Sequence, residues 1–242
     1  MKLALISDIH GNLEALVSVL KHVEKQNVDE IHCLGDVIGY GSDPSGCLEL
    51  VDKSCTVKLM GNHEYAALGL EDTDDYNPAA QKSAIWTRSQ LSDKEKAVIA
   101  EFQMSHVLKD MFLVHASPFE PEDWHYVLNA EAALEAFEHL DERICFLGHS
   151  HVPQIYAERE DDLPRCQTGH DFQPDEESRY LINVGSVGQP RDNDPRACYV
   201  TFDTNEYEVL YHRSEYDIET AQGKMVQANL PRMLIARLAM GR

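Results

Sequence analysis

The chain has 242 residues, 43% hydrophobic and 26% charged, enough to bury a core as one large domain or two small ones. Its formal net charge of −21 argues against a nucleic-acid-binding surface, which works through Lys and Arg, and against docking on an anionic membrane. No apolar run approaches the ~20 residues of a membrane-spanning helix, and the N-terminal run Leu3-Ala4-Leu5-Ile6 is too short for a signal-peptide core. The expected location is therefore the cytoplasm, with Cys33, Cys47, Cys55, Cys145, Cys166 and Cys198 as reduced thiols.

Residues 2–6 read as a buried strand. Residues 12–25 follow with Leu13, Leu16, Val17, Leu20 and Val23 at helical spacing. A strand at 31–34, a helix at 44–51 and a strand at 57–60 continue the alternation, which predicts βαβ crossovers and a mostly parallel sheet. Residues 65–102 are helical in pattern. Asn77-Pro78 and Ser92-Asp93 read as helix starts, the second with Glu95 at capping-box spacing. Strand character returns at 111–114, a helix is expected at 131–140 and a strand at 144–147. Short alternating segments at 152–157, 179–184, 197–202 and 207–212, with turn residues Gly185-Ser186 and Asp203-Thr204-Asn205, predict antiparallel strands. Two helices at about 216–240 close the chain, split by Asn229 and Pro231. With no repeat or linker, we expect a single domain over 1–242 carrying a helical insert at about 65–102.

Polar residues of metal-binding type recur where these strands end. They are Asp8 and His10, then Asp36, then Asn62-His63-Glu64, then His115, then His149 and His151. In open α/β sheets ligand sites lie outside the carboxyl ends of strands, so five segments should converge on one rim. Carboxylate, imidazole and amide oxygen suit divalent Mn, Fe, Zn or Ni, and no thiolate is implied. The one-residue gaps in Asp8-Ile9-His10 and His149-Ser150-His151 put paired side chains on one side of an extended segment. Asp36 has two carboxylate oxygens and could bridge two ions. Metal ions would also give this acidic chain the local positive charge a phosphate substrate needs.

Asp8-x-His10, Gly35-Asp36, Gly61-Asn62-His63-Glu64, His115 and Gly148-His149-x-His151 together resemble the calcineurin-like metallophosphoesterase superfamily over about residues 2–203. Gly35-Asp36-Val37-Ile38-Gly39-Tyr40-Gly41 and Gly185-Ser186-Val187-Gly188-Gln189-Pro190-Arg191 further resemble its small bacterial, phosphodiesterase-like branch. The resemblance implies an α/β fold, a two-sheet α-β-β-α sandwich. It implies one divalent ion on Asp8, His10, Asp36 and His151 and a second on Asp36, Asn62, His115 and His149. His63 would be the general acid and Glu64 would orient it. The implied reaction is hydrolysis of phosphodiester or phosphomonoester bonds of small substrates, nucleotides among the candidates, by a hydroxide between the two metals. A Ser/Thr-type protein phosphatase and a non-catalytic scaffold are the alternatives. Ile38-Gly39-Tyr40-Gly41 lacks the Asp-Arg-Gly of the phosphoprotein phosphatases, and the retained His63 and ligands count against a scaffold.

Tyr40 and Arg191 are the candidate substrate contacts. For Tyr40 the other reading is a packed loop aromatic, and for Arg191 a salt bridge with Asp192 or Asp194. His125 is a candidate rim residue. His22, His32, His106, His139, His170 and His212 read as packing or surface residues, and the acidic runs 71–75 and 158–162 as solvated loops.

Overall fold

A computed structural model of the chain describes residues 1–74, 76–159 and 163–242; Asp75 and residues 160–162, which belong to the two acidic runs, lie outside the described residues. Two sheets face each other. The first has the order β11-β10-β1-β2-β3, built from β1 (Lys2–Ile6), β2 (Glu30–Cys33), β3 (Val57–Lys58), β10 (Ala197–Asp203) and β11 (Glu208–Ser214). β1, β2 and β3 are parallel, joined through helices α1 (Leu13–Val23) and α2 (Pro44–Ser54); β10 and β11 add on antiparallel. The second sheet has the order β4-β5-β6-β9-β7-β8. It is built from β4 (Ser105–Leu108), β5 (Met111–Val114), β6 (Ile144–Leu147), β7 (Gln154–Glu158), β8 (Arg165–Thr168) and β9 (Arg179–Asn183).

The alternation of each strand explains the layering. On β1, Leu3 and Leu5 join Met111, Leu113, Ile144, Phe146, Ile182 and Phe202 in the core between the sheets. Ala4 and Ile6 face the other way, onto Leu16 and Val19 of α1 and Leu48 and Val51 of α2. On β6, Ile144 and Phe146 face the first sheet, while Cys145 and Leu147 pack on Ala133, Ala136 and Phe137 of α6 (Ala130–Glu138). Strands buried on both faces read as unbroken apolar runs. The result is the α-β-β-α sandwich.

Between β3 and β4 stand α3 (Asn62–Leu68), α4 (Pro78–Gln90) and α5 (Asp93–Ile99). The expected caps are present. The Asn77 side chain accepts from the Ala79 and Ala80 N–H groups, and Ser92 and Glu95 form the reciprocal capping box. Helices α7 (Ile218–Gln227) and α8 (Arg232–Leu238) pack on each other through Met225, Leu230 and Leu234, with Trp86 of α4 and Tyr40 against them.

Three expectations fail locally. Gly185-Ser186 does not reverse a hairpin: β9 pairs with β6 and β7, whereas β10 lies in the other sheet, so this turn carries the chain between layers. Strand β3 stops at Lys58, and Leu59 bridges Gln103 instead. The helical insert starts at Asn62 rather than near 65, which places Asn62, His63 and Glu64 in the first turn of α3.

Candidate metal centre

The carboxyl ends of β1, β2 and β3 in one sheet and of β5 and β6 in the other open onto one place. The loops there deliver Asp8, His10, Asp36, Asn62, His63, His115, His149 and His151 together. The pairs do not converge by extended alternation, as the spacing suggested. Asp8, His10, Asp36, His149 and His151 all have left-handed backbones, with φ between 50 and 64°. Non-glycine residues rarely hold that conformation, and it concentrates at functional sites.

Hydrogen bonds between loops enforce it. The Asp8 and His10 N–H groups donate to the Gly35 and Asp36 carbonyls at 3.1 and 2.9 Å. The His149 N–H donates to Asp8 Oδ2, and the His63 N–H to Asp36 Oδ1, each at 3.0 Å. Each acid thereby keeps one oxygen for the protein and one for the cavity. Two glycines make these approaches possible: a Cβ on Gly61 would strike Asp36 Oδ1, and one on Gly148 would strike Ser7 Oγ and Asp8 Oδ2.

The free atoms gather in overlapping groups. Asp8, His10 and His151 form one, and Asp36, His115 and His149 another, the potential ligand atoms in each lying within 4.8 Å of one another. Asp36 Oδ2 faces both, 3.6 Å from His10 Nε2 and 3.3 Å from His115 Nε2. His10, Asp36 and His63 form a third such group between them.

Tautomers decide what these groups can do. His10 Nδ1 lies 3.2 Å from the Ile38 carbonyl, His151 Nδ1 2.7 Å from the Gln189 carbonyl, and His115 Nδ1 2.9 Å from the Leu34 carbonyl. A carbonyl only accepts, so each Nδ1 carries a proton and each ring turns its Nε2 inward, as a lone pair wherever the ring is neutral. His10 and His151 then oppose two Nε2 lone pairs at 3.1 Å. Asp8 Oδ1, His115 Nε2, His149 Nε2 and Asn62 Oδ1 are buried with no hydrogen-bond partner. So many inward-facing polar atoms without partners are costly unless a cation occupies their centre. The donor set fits divalent metal.

Burial lowers the pKa of His10 and His151 and brings His149 down to about 3, which favours the neutral, metal-binding form of these three rings; burial also lowers His63, against the pull of Asp36. Burial lifts Asp8 to about 7, whereas for Asp36 the surrounding imidazoles of His115, His63 and His10 override burial and hold it well below the usual range. His115 is opposed by burial but drawn up by Asp36 to about 9, a proton that a metal would replace.

The Glu64 carboxylate, expected beside His63 as its orienting partner, is hydrogen-bonded to backbone instead. It accepts the Asp36, Ile38 and Gly61 N–H groups at 2.8, 3.1 and 3.0 Å, fastening the loop after β2 to the start of α3. Burial and Asp36 raise Glu64 to about 8, against the pull of those N–H donors. His63 is positioned by packing instead: Tyr40 lies 4.4 Å and His10 4.8 Å from it, ring centre to ring centre.

Arg191 reaches the same cavity. Asp192 and Asp194, its expected partners, are engaged by Arg213 and Arg196, and no carboxylate among the described residues pairs with Arg191. It lies over the Tyr40 ring and bonds Gln189 Oε1 at 3.0 Å. His125 stays outside, stacked on Phe119 and paired with Glu120. Its neighbour Tyr126 takes the rim position, stacked on His149 with ring centres 4.0 Å apart. Tyr76 accepts from the Asn62 amide and donates to Glu71. Nothing local in the sequence marks Tyr76 or Tyr126, because each is placed by a loop that folds over the site.

Comparison with known proteins defines the class. The chain is similar to the crystal structure of a metallophosphoesterase from Sphaerobacter thermophilus, 38% identical over 100% of this chain and 99% of that one, with a TM-score of 0.87. An uncharacterized protein of Methanocaldococcus jannaschii is 36% identical over 99% of this chain and 98% of its own length. A hypothetical protein of Pyrococcus horikoshii shares the fold, with a TM-score of 0.81 over 100% of this chain and 98% of that one, at 17% identity. Residues 1–207 match the family model of the calcineurin-like phosphoesterase superfamily domain, and the chain belongs to that superfamily.

Proposed function

We propose that the chain is a two-metal phosphoesterase that hydrolyses phosphodiester or phosphomonoester bonds of small substrates, with His63 as general acid. The observation that carries this reading is the position of Asp36 Oδ2, which faces His10 Nε2 of one ligand group and His115 Nε2 of the other. Asp8, His10, Asp36 and His151 would hold one ion, and Asp36, Asn62, His115 and His149 the other. Bound there, the ions would supply an acidified water and positive charge for the phosphoryl oxygens.

The protein's own groups do the rest. Arg191, with no carboxylate partner among the described residues, grips a phosphoryl oxygen. Tyr40 and Tyr126 wall the cavity beside it. The His63 ring, held by Tyr40 and His10, gives its proton to the departing oxygen. Without Asp-Arg-Gly after Asp36, small diesters should be preferred over phosphoproteins. The same reading takes residues 1–242 as one unit working in the cytoplasm; among the described residues no helix is long and apolar enough to cross a membrane.

His63→Ala tests the assignment. Metal content and fold should be retained, while kcat on an alkyl phosphodiester falls by ~10²–10⁴. A p-nitrophenyl ester, whose leaving group departs without help, should lose far less. Equal losses on both, with chemistry limiting the rate, would give His63 another role, and lost metal would make it a ligand.

A further inference from the structure

Beside the metal centre stands a second guanidinium group, that of Arg237, which the reaction as described does not use. Arg237 of α8 donates from Nη1 to Gln189 Oε1 at 3.0 Å, the same oxygen that accepts from Arg191 Nη2 at 3.0 Å. Two guanidinium groups thus share one neutral acceptor. Neither pairs with a carboxylate among the described residues, although acidic residues outnumber basic ones 42 to 21 in the chain. The Nε atom of each is buried without a hydrogen-bond partner. Gln189 itself is buried and belongs to the loop whose carbonyl fixes His151.

The arrangement is ordered outward. Arg191 stands close enough to act electrostatically on His10, His63, His149 and His151, whereas Arg237 feels only Arg191 and Tyr40 among the charges that act on it most. Burial and the charge of Arg191 lower the pKa of Arg237, as two cations in one half-buried corner must. A polyanion laid across both would relieve the repulsion and satisfy the planar forks, which suit phosphate oxygens.

We propose that Arg237, set beyond Arg191, forms an anion subsite one step out from the metal centre. It takes a further phosphoryl group of the substrate, so the substrate class is esters carrying two or more linked phosphoryl groups, as in nucleoside polyphosphates. This rests on the phosphoesterase reading and narrows it. Arg237 lies beyond the residues 1–207 that match the family model, so this outer cation is contributed by α8 rather than by the shared catalytic frame.

The test is calorimetric binding of pyrophosphate and of phosphate to metal-loaded wild type, Arg237→Gln and Arg237→Lys, with metal content measured before and after. Wild type should bind pyrophosphate more tightly than phosphate. Arg237→Gln should weaken pyrophosphate about tenfold or more, the scale of a lost charge-assisted hydrogen bond, and phosphate by less than threefold. Arg237→Lys, which keeps the charge, should recover part of the loss. Equal losses on both anions, no loss on either, or no wild-type preference for pyrophosphate would overturn the subsite. Hydrolysis of bis(p-nitrophenyl) phosphate by the same wild-type sample tests the underlying reading separately. Activity without Arg237-dependent pyrophosphate binding removes the subsite alone, and Arg237-dependent binding without activity removes the catalytic reading alone.

Discussion

Asp8, His10, Asp36, His115, His149 and His151 were legible in the sequence because each follows an apolar strand, and strand ends are where a sandwich of this kind gathers polar groups. The backbone that gathers them was not. Left-handed φ at five of them depends on hydrogen bonds between loops far apart in sequence, such as the His149 N–H to Asp8 Oδ2. Glu64 shows the same limit. Its place beside His63 suggested an orienting role, yet its carboxylate serves three backbone N–H groups from two loops. Replacing it tests that function. Glu64→Gln puts an NH2 group against donors, leaving at least one buried N–H without an acceptor, at a cost of ~1–3 kcal/mol. Thermal unfolding should move to a lower temperature and metal retention should fall with it. An unchanged melting temperature would mean that the three bonds do not secure the loop.

Strands buried on both faces were readable almost to the residue, as β1, β5 and β6 show. Two edge strands were not: β4 and β8 occupy the ends of the second sheet, and all four residues of β8 are exposed, so no apolar pattern announces them. The β10–β11 hairpin carries a testable pH dependence. His212 stacks on Tyr199 and shares a hydrogen bond with Thr201, and burial brings its pKa from 6.5 down to about 4. Between those values the unfolded chain binds the proton and the folded chain does not, so this residue's contribution is complete above pH 6.5 and is lost as pH falls toward 4. His212→Gln should flatten the stability-versus-pH curve in that window. Urea midpoints at several pH values for both proteins would show it, and parallel curves would remove His212 from the acid response.

At the scale of the whole molecule, two sheets and their helices act as a frame whose one open corner holds every candidate ligand. The α/β class followed from alternating patterns and the two-sheet sandwich from the family resemblance that the motif set carries, but the rim followed from neither. Tyr76, Tyr126 and Arg237 reach the site from the segment after α3, the loop after β5 and the C-terminal helix, none of which carries a local signature. The acidic surface and the absence of Asp-Arg-Gly predict higher kcat/KM on an aryl phosphodiester than on a phosphoserine peptide, and the reverse order would restore the protein-phosphatase alternative. The central claim is that two ions share Asp36. It is tested most directly by stripping the protein of metal, adding back Mn2+ in measured equivalents and following hydrolysis of bis(p-nitrophenyl) phosphate. Activity should rise to a plateau at two equivalents per chain; a plateau at one equivalent, or activity undiminished in the stripped protein, would contradict it.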